Sequence, residues 1–409
     1  MFYRWHEFRR LALQPAQLAA ASYREMMRNP FNPFAHTFAG RSSIAAMDAM
    51  ASGAGAAQQP SFALTSTVVD GRAVSVEAET VWRRPFCDLV RLRRDISPAR
   101  NEDDPRLLVI PPYLGLHATA FAPFIRRFLP FCDVFVAVWR DARLVPAADG
   151  AFGLADQIGA IVDMCEFFGG DVHAIGADQA SAPLFAAVAM LEAQGGVRSP
   201  HSQILIDGSI DARVNPTPLS AAIREHGIDW LRGRIVRRAP WPETGHGREL
   251  WPSEASLEDT VGRAGESFIA VHREADAPLL DAPAECALQS IDAFIVKHAL
   301  ASEELFIVNG VARPSAIVRC ALMTFEMGPD ALRGPGQCAA AHRLAISVPP
   351  SRRETLQRET GDHEAEMARA ARRIVRFMAR HDRRPGLRGR VLGVLAKYFR
   401  LTPRTKQTV

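Results

Sequence analysis

Val172-His173-Ala174-Ile175-Gly176-Ala177-Asp178-Gln179-Ala180-Ser181 is the stretch that decides the fold. An apolar run ends at Ile175, small residues follow, and a segment of helical period runs from about Ser181 to Gln194. The pattern predicts a strand, a tight turn and a helix, with one side chain projecting above the end of a sheet. Projection at a strained turn needs small neighbours, and Gly176, Ala177 and Ala180 supply them. The projecting residue is Asp178. It has two readings: a reactive group raised into a cleft, or a cap for the first turn of the helix.

Outward from this turn the same rhythm repeats. Leu107–Ile110, Val134–Val138, Val172–Ile175, Ile204–Ile206 and Leu322–Phe325 are short, continuous apolar runs, the mark of strands covered on both faces. Between them Thr119–Phe128, Leu154–Phe168 and Ser181–Gln194 have helical length and period. Strands alternating with helices predict an α/β domain with a mostly parallel sheet and helices on both faces. Residues 105–381 carry this pattern. Within them, about 210–300 break it with Pro, Gly and Trp230, Trp241 and Trp251, which predicts a cap insertion over the carboxyl ends of the strands. Residues 61–104 read as a small β segment leading into the sheet. Residues 1–60 read as a helical segment, broken at Asn29-Pro30-Phe31-Asn32-Pro33-Phe34, that ends in the uncharged linker 51–60.

The 409 residues suffice for a sizeable core, and 48% hydrophobic with 23% charged is an ordinary globular balance. No apolar run reaches the eighteen or so residues of a membrane span. The six cysteines lack CxxC spacing, and no apolar stretch follows the Arg-rich start. Together these features predict a reducing, cytoplasmic setting without a disulfide framework, metal cluster or cofactor. Charge is uneven. From Arg369 to Val409 thirteen Lys or Arg face one acid, Asp382, a balance of +12; the chain as a whole is +4, so the body is −8. The basic tail, 382–409, is either a helix over about Gly389–Leu401 for an anionic surface or a strip packed on the acidic body. Nothing marks a specific nucleic-acid site.

Two further groups stand in the chain order of a hydrolytic triad after the elbow: Asp330, beyond the Leu322–Phe325 strand, and His363, beyond a strand predicted at Leu344–Val348. The loop Pro111-Pro112-Tyr113-Leu114-Gly115-Leu116-His117 follows the first core strand. Backbone N–H groups of Leu114 and Gly115, with that of Gln179, are the candidate oxyanion donors. His117 is either a member of this site or a hydrogen-bonded loop residue; His173 and His246 read as structural.

Many separate strings then resemble one family in one order. They include Asn29-Pro30-Phe31-Asn32-Pro33, Arg84-Pro85-Phe86-Cys87-Asp88-Leu89-Val90-Arg91, His117-Ala118-Thr119, Trp139-Arg140-Asp141-Ala142-Arg143, Ile210-Asp211-Ala212-Arg213, Gly245-His246-Gly247-Arg248 and Gly334-Pro335-Gly336-Gln337. From residue 1 to about 381 the chain resembles the intracellular poly(3-hydroxybutyrate), or polyhydroxyalkanoate, depolymerases. The resemblance implies an α/β-hydrolase fold, a place at polyester granules, and hydrolysis of 3-hydroxybutyrate esters by a Cys-Asp-His triad. The departures fall on that triad. The nucleophile position holds Asp178 followed by Gln179 and Ala180, where the family has cysteine, Gln and Pro. The acid position is kept as Asp330, and His363 stands in Asp362-His363-Glu364-Ala365 instead of the family's Gly-His-Tyr-Gly.

Three readings follow. The first is a working ester hydrolase with an unusual acyl-transfer site, in which Asp178 either attacks the carbonyl, giving a mixed anhydride, or helps His363 activate water. In the second, a non-catalytic granule-binding protein keeps the scaffold. The third, an Asp-nucleophile hydrolase of another substrate, lacks a cap tyrosine: Tyr3, Tyr23, Tyr113 and Tyr398 all lie outside 210–300.

Overall fold

A computed structural model describes residues 62–102, 104–239, 247–252, 279–307, 310–328, 333–359 and 361–384. The chain divides into two compact units, Met1–Pro60 and Ser61–Val409, and the described residues belong to the second. The predicted N-terminal helix, the tail helix over 389–401, His246 and Asp330 lie outside the described residues.

Nine strands form the main sheet: β1 Ser66–Val69, β2 Arg72–Arg83, β3 Cys87–Arg94, β4 Arg106–Ile110, β5 Asp133–Trp139, β6 His173–Ala177, β7 Ser202–Ile206, β8 Ala321–Glu326 and β9 Arg353–Gln357. They are ordered β1-β2-β3-β5-β4-β6-β7-β8-β9. The β1–β2, β2–β3 and β3–β5 pairs are antiparallel, and every later pair is parallel. Apart from Arg106 in β4 and Val138 in β5, both half-buried, every residue of β4, β5, β6 and β7 is buried, which is why they read as unbroken apolar runs. This antiparallel entry followed by a parallel, crossed-over sheet is the α/β-hydrolase arrangement.

Helices cover both faces. On one lie α1 (Leu154–Phe167) and α2 (Ser181–Ala193); α2 is apolar on all sides and buried from Ser181 to Glu192. Across the sheet lies the amphipathic helix α6 (His363–His381). It presses Met367, Ala370, Ala371, Ile374, Phe377 and Met378 into a second core with Val109, Val136, Ile175 and Phe325. Between β7 and β8 the chain forms α3 (Pro218–His226), α4 (Ile228–Ile235) and α5 (Ala284–Ile291) with short strands. One of these, Leu279–Leu280, pairs antiparallel with Gly115–Leu116 in the loop beyond the carboxyl end of β4.

Two sequence expectations need correction. The single helix over Thr119–Phe128 is a 3-10 turn, Ala118–Phe121, followed by a separate short helix, Ala122–Arg126. Pro123, without an N–H to donate, sits at the start of that second piece. The strand predicted at Leu344–Val348 is the end of a one-turn helix, Ala341–Leu344, and the turns after it. The ninth strand is instead Arg353-Glu354-Thr355-Leu356-Gln357, an edge strand paired only with β8, in which Leu356 is the one buried residue.

Candidate active site

The turn after β6 has the geometry its small residues foretell. Asp178 adopts φ +52°, in the left-handed region that few residues other than glycine occupy. A Cβ on Gly176 would stand 2.9 Å from the Ala180 carbonyl oxygen and 3.0 Å from the Ser181 Cα, so only glycine lets strand and helix close this tightly. Gly208 allows a second close approach: a Cβ there would meet the Ser181 Cβ at 2.4 Å. The nearby hydroxyl is structural. Ser181 Oγ is fully buried and lies 2.8 Å from the Gly176 carbonyl and 2.9 Å from that of Ile206, tying the helix start to β6 and β7. Asp178 thus stands at the crest of a strained strand–helix turn, with its side chain about 15% exposed. Asp178 is not the N-cap of α2: that position is Ala180, which makes no side-chain cap bond.

Sequence reasoning missed the neighbours of Asp178. Arg333, on the loop after β8, brings Nη1 to 3.8 Å from Asp178 Oδ1 and Nη2 to 3.6 Å from Asp207 Oδ2. The same guanidinium donates to the Asp207 and Gly328 carbonyls, the latter at 3.0 Å. Asp207 follows β7 directly, adopts φ +53°, donates its N–H to Phe325 at 2.9 Å and accepts the Met327 N–H on Oδ1 at 2.8 Å. Three adjacent strand ends, β6, β7 and β8, therefore share one Asp-Arg-Asp cluster. An acid immediately after the Ile204–Ile206 run and before Gly208 was the signal for Asp207; Arg333 carried none.

Of the predicted site residues, Asp178 and Gln179 lie together in the elbow. Gln179 keeps its Oε1 buried without a hydrogen-bond partner among the described residues. Leu114 packs half-buried against the core, and Gly115, at φ +87°, is held in the short ladder with Leu280. His363 opens α6 after β9, behind the capping carboxylate of Asp362, which accepts from the Glu364 and Ala365 N–H groups. Two other histidines are structural. His117 Nδ1 accepts from the Thr119 N–H at 3.2 Å, and burial pulls its pKa down to about 4. His173 begins β6, at the end of the sheet opposite Asp178.

There His173, His201 and Asp382 bring nitrogen and oxygen atoms within 4.8 Å of one another, the one such group among the described residues. Its atoms are already engaged. His173 Nδ1 meets Ser202 Oγ at 2.7 Å and Nε2 meets Asp382 Oδ2 at 3.2 Å. His201 Nδ1 accepts the Arg383 N–H at 3.0 Å, and Arg384 grips both Asp382 oxygens at 3.2 and 3.0 Å. A metal ion would have to displace these bonds beside a guanidinium, so the cluster is a tie between the end of α6 and the foot of the sheet. Burial lowers the His173 pKa to about 4 and so keeps it a neutral donor. Burial alone would raise the Asp382 carboxyl, but hydrogen bonds from His173 and Arg384 outweigh it and hold the carboxyl below its ordinary range.

Residues 207–368 match the family model described as PHB de-polymerase C-terminus. No curated protein matches the sequence. Solved structures are similar to it at low identity. DcsB in complex with a substrate analogue is 12% identical, with 75% of this chain and 99% of that chain covered and a TM-score of 0.47. Naproxen esterase of Bacillus subtilis is 12% identical, covering 75% and 92%, at 0.38. A lipase-esterase related protein of Clostridium acetobutylicum is 11% identical, covering 71% and 99%, at 0.39.

Proposed function

We propose, on the match of residues 207–368 to the model described as PHB de-polymerase C-terminus, that the chain belongs with the poly(3-hydroxybutyrate) depolymerases and hydrolyses 3-hydroxybutyrate esters, in polyester or its oligomers, with water as the attacking group. The observation that carries this reading is the elbow: Asp178 stands at φ +52° on a strand–helix turn, the position to which the sequence resemblance assigns the nucleophile.

Chemistry decides against direct attack. A carboxylate adding to an ester carbonyl forms a mixed anhydride, and the tetrahedral adduct expels the carboxylate more readily than the alkoxide. In the proposed route Asp178 holds a water molecule and His363 takes its proton, with Asp330 orienting the imidazole. The new C–O bond forms as the π electrons move to the carbonyl oxygen, stabilised by N–H groups of Leu114, Gly115 and Gln179. Collapse breaks the bond to the alkoxide, which recovers the proton from His363. One acid and one alcohol leave, with no covalent intermediate. The reading extends to a cytoplasmic setting at the granule, with the basic tail as a contact to an anionic surface.

A second reading, a polyester-binding protein without turnover, is favoured by one observation. Arg333 lies against Asp178, and a carboxylate beside a buried cation is a weak base and a weak nucleophile. Purified protein on native amorphous granules and on short soluble 3-hydroxybutyrate esters separates the two. Hydrolysis predicts release of acid from both substrates; co-sedimentation with granules and no release from either overturns hydrolysis in favour of binding.

A further inference from the structure

The Asp178–Arg333–Asp207 cluster calls for a physical account of the arginine. Arg333 is only 2% exposed, and an unpaired guanidinium at that depth is costly. Asp207, fully buried in its side chain, supplies one counter-charge at 3.6 Å. Two backbone carbonyls, of Asp207 and Gly328, take two of its donors and fix the fork in place. The loop that carries Arg333 is itself pinned: Glu326 accepts N–H groups of Gly336, Cys338 and Ala339 at 2.9–3.1 Å. Arg333 is thus a rigid cation built into the sheet end, and its Nη1 faces residue 178 at 3.8 Å.

We propose that Arg333 is the positioning residue of the elbow, the fixed counter-ion that holds residue 178 as an anion, whichever acidic side chain stands there. In this chain it keeps Asp178 an ionised acceptor for water; with a thiol at 178 it would favour the thiolate. The inference deepens the hydrolytic reading of Asp178, yet it is testable without turnover. Failure of hydrolysis would leave the thiol measurement below untouched.

The molecule suits such a measurement. All six native cysteines, Cys87, Cys132, Cys165, Cys286, Cys320 and Cys338, are at most 2% exposed, and burial raises the pKa of each. In Asp178→Cys protein, alkylation by iodoacetamide across pH therefore reports the new thiol alone. With Arg333 in place, its pH midpoint is expected below the ordinary cysteine value of about 8.5. Adding Arg333→Met should raise the midpoint by about one unit and slow alkylation at pH 7 about ten-fold; Arg333→Lys should keep most of the shift. Arg333→Gln, which retains donors for the two carbonyls, replaces the Met variant if that protein does not melt cooperatively. The uncharged variants also separate Arg333 from any effect of His363. A midpoint at or above the ordinary value with Arg333 present, or one unmoved when its charge is removed from folded protein, overturns the proposal.

Discussion

The hydroxyl of Ser181 lies 2.8 Å from the carbonyl oxygen of Gly176 and 2.9 Å from that of Ile206, sealed from solvent. The nearest serine to the elbow therefore serves packing and has no path to a substrate. Ser181→Ala should lower stability by about 1 kcal/mol, since two buried carbonyls lose a donor. It should leave ester hydrolysis within about two-fold of the parent, after the loss in folded fraction is allowed for. Thermal melting and initial rates on a soluble ester measure both. A collapse of activity in folded protein, or labelling of Ser181 by a fluorophosphonate, would make this serine the nucleophile.

Buried histidines set the acid limit. His117, His173 and His342 are each pulled down to about 4 by burial. In the unfolded chain they titrate near 6.5, so between about pH 6.5 and 4 the unfolded state binds more protons than the native one. Stability is fully present above about pH 6.5 and falls as pH drops through this window, by on the order of 2 kcal/mol for each group. Asp382 works in the same sense at still lower pH, because its carboxyl is held below the ordinary range. Urea midpoints at pH 7.5, 6 and 5 should decline in order. Replacing His173 by Gln should flatten part of the slope; an unchanged slope would mean that the tie at the foot of the sheet does not titrate as described.

Asp178→Cys tests whether the scaffold is otherwise competent. A thiolate forms an acyl-enzyme that water can clear, so the variant should hydrolyse short 3-hydroxybutyrate esters at least about ten-fold faster than the parent. Intact-mass measurement should detect an acyl adduct in the variant and none in the parent. No gain and no adduct in a folded variant would mean that Asp330 and His363 do not form a working pair.

Much of this architecture is legible in the residues. The inner strands β4 to β7 are covered on both faces, so their apolar runs are continuous and need no context to recognise. The elbow is legible for a related reason: Gly176 lacks a side chain because a Cβ there would stand 2.9 Å from the Ala180 carbonyl oxygen. What is hidden depends on neighbours far away in sequence. Edge strand β9, Arg-Glu-Thr-Leu-Gln, buries one residue and pairs on one side, so its composition is that of a loop. Arg333 stands 155 positions from Asp178 and acquires its role only when three strand ends converge. No local pattern announces such a residue.

The most direct measurement of the central claim is kcat/KM of the parent and of Asp178→Ala on a soluble 3-hydroxybutyrate ester, with both proteins matched for folded fraction. Removing a group that holds the attacking water should cost about 10²-fold or more, down toward the residual rate that an oxyanion hole and binding alone provide, roughly 10³-fold over water. Equal rates for the two proteins, or no hydrolysis by the parent, would contradict the assignment of Asp178 as the residue through which this chain cleaves esters.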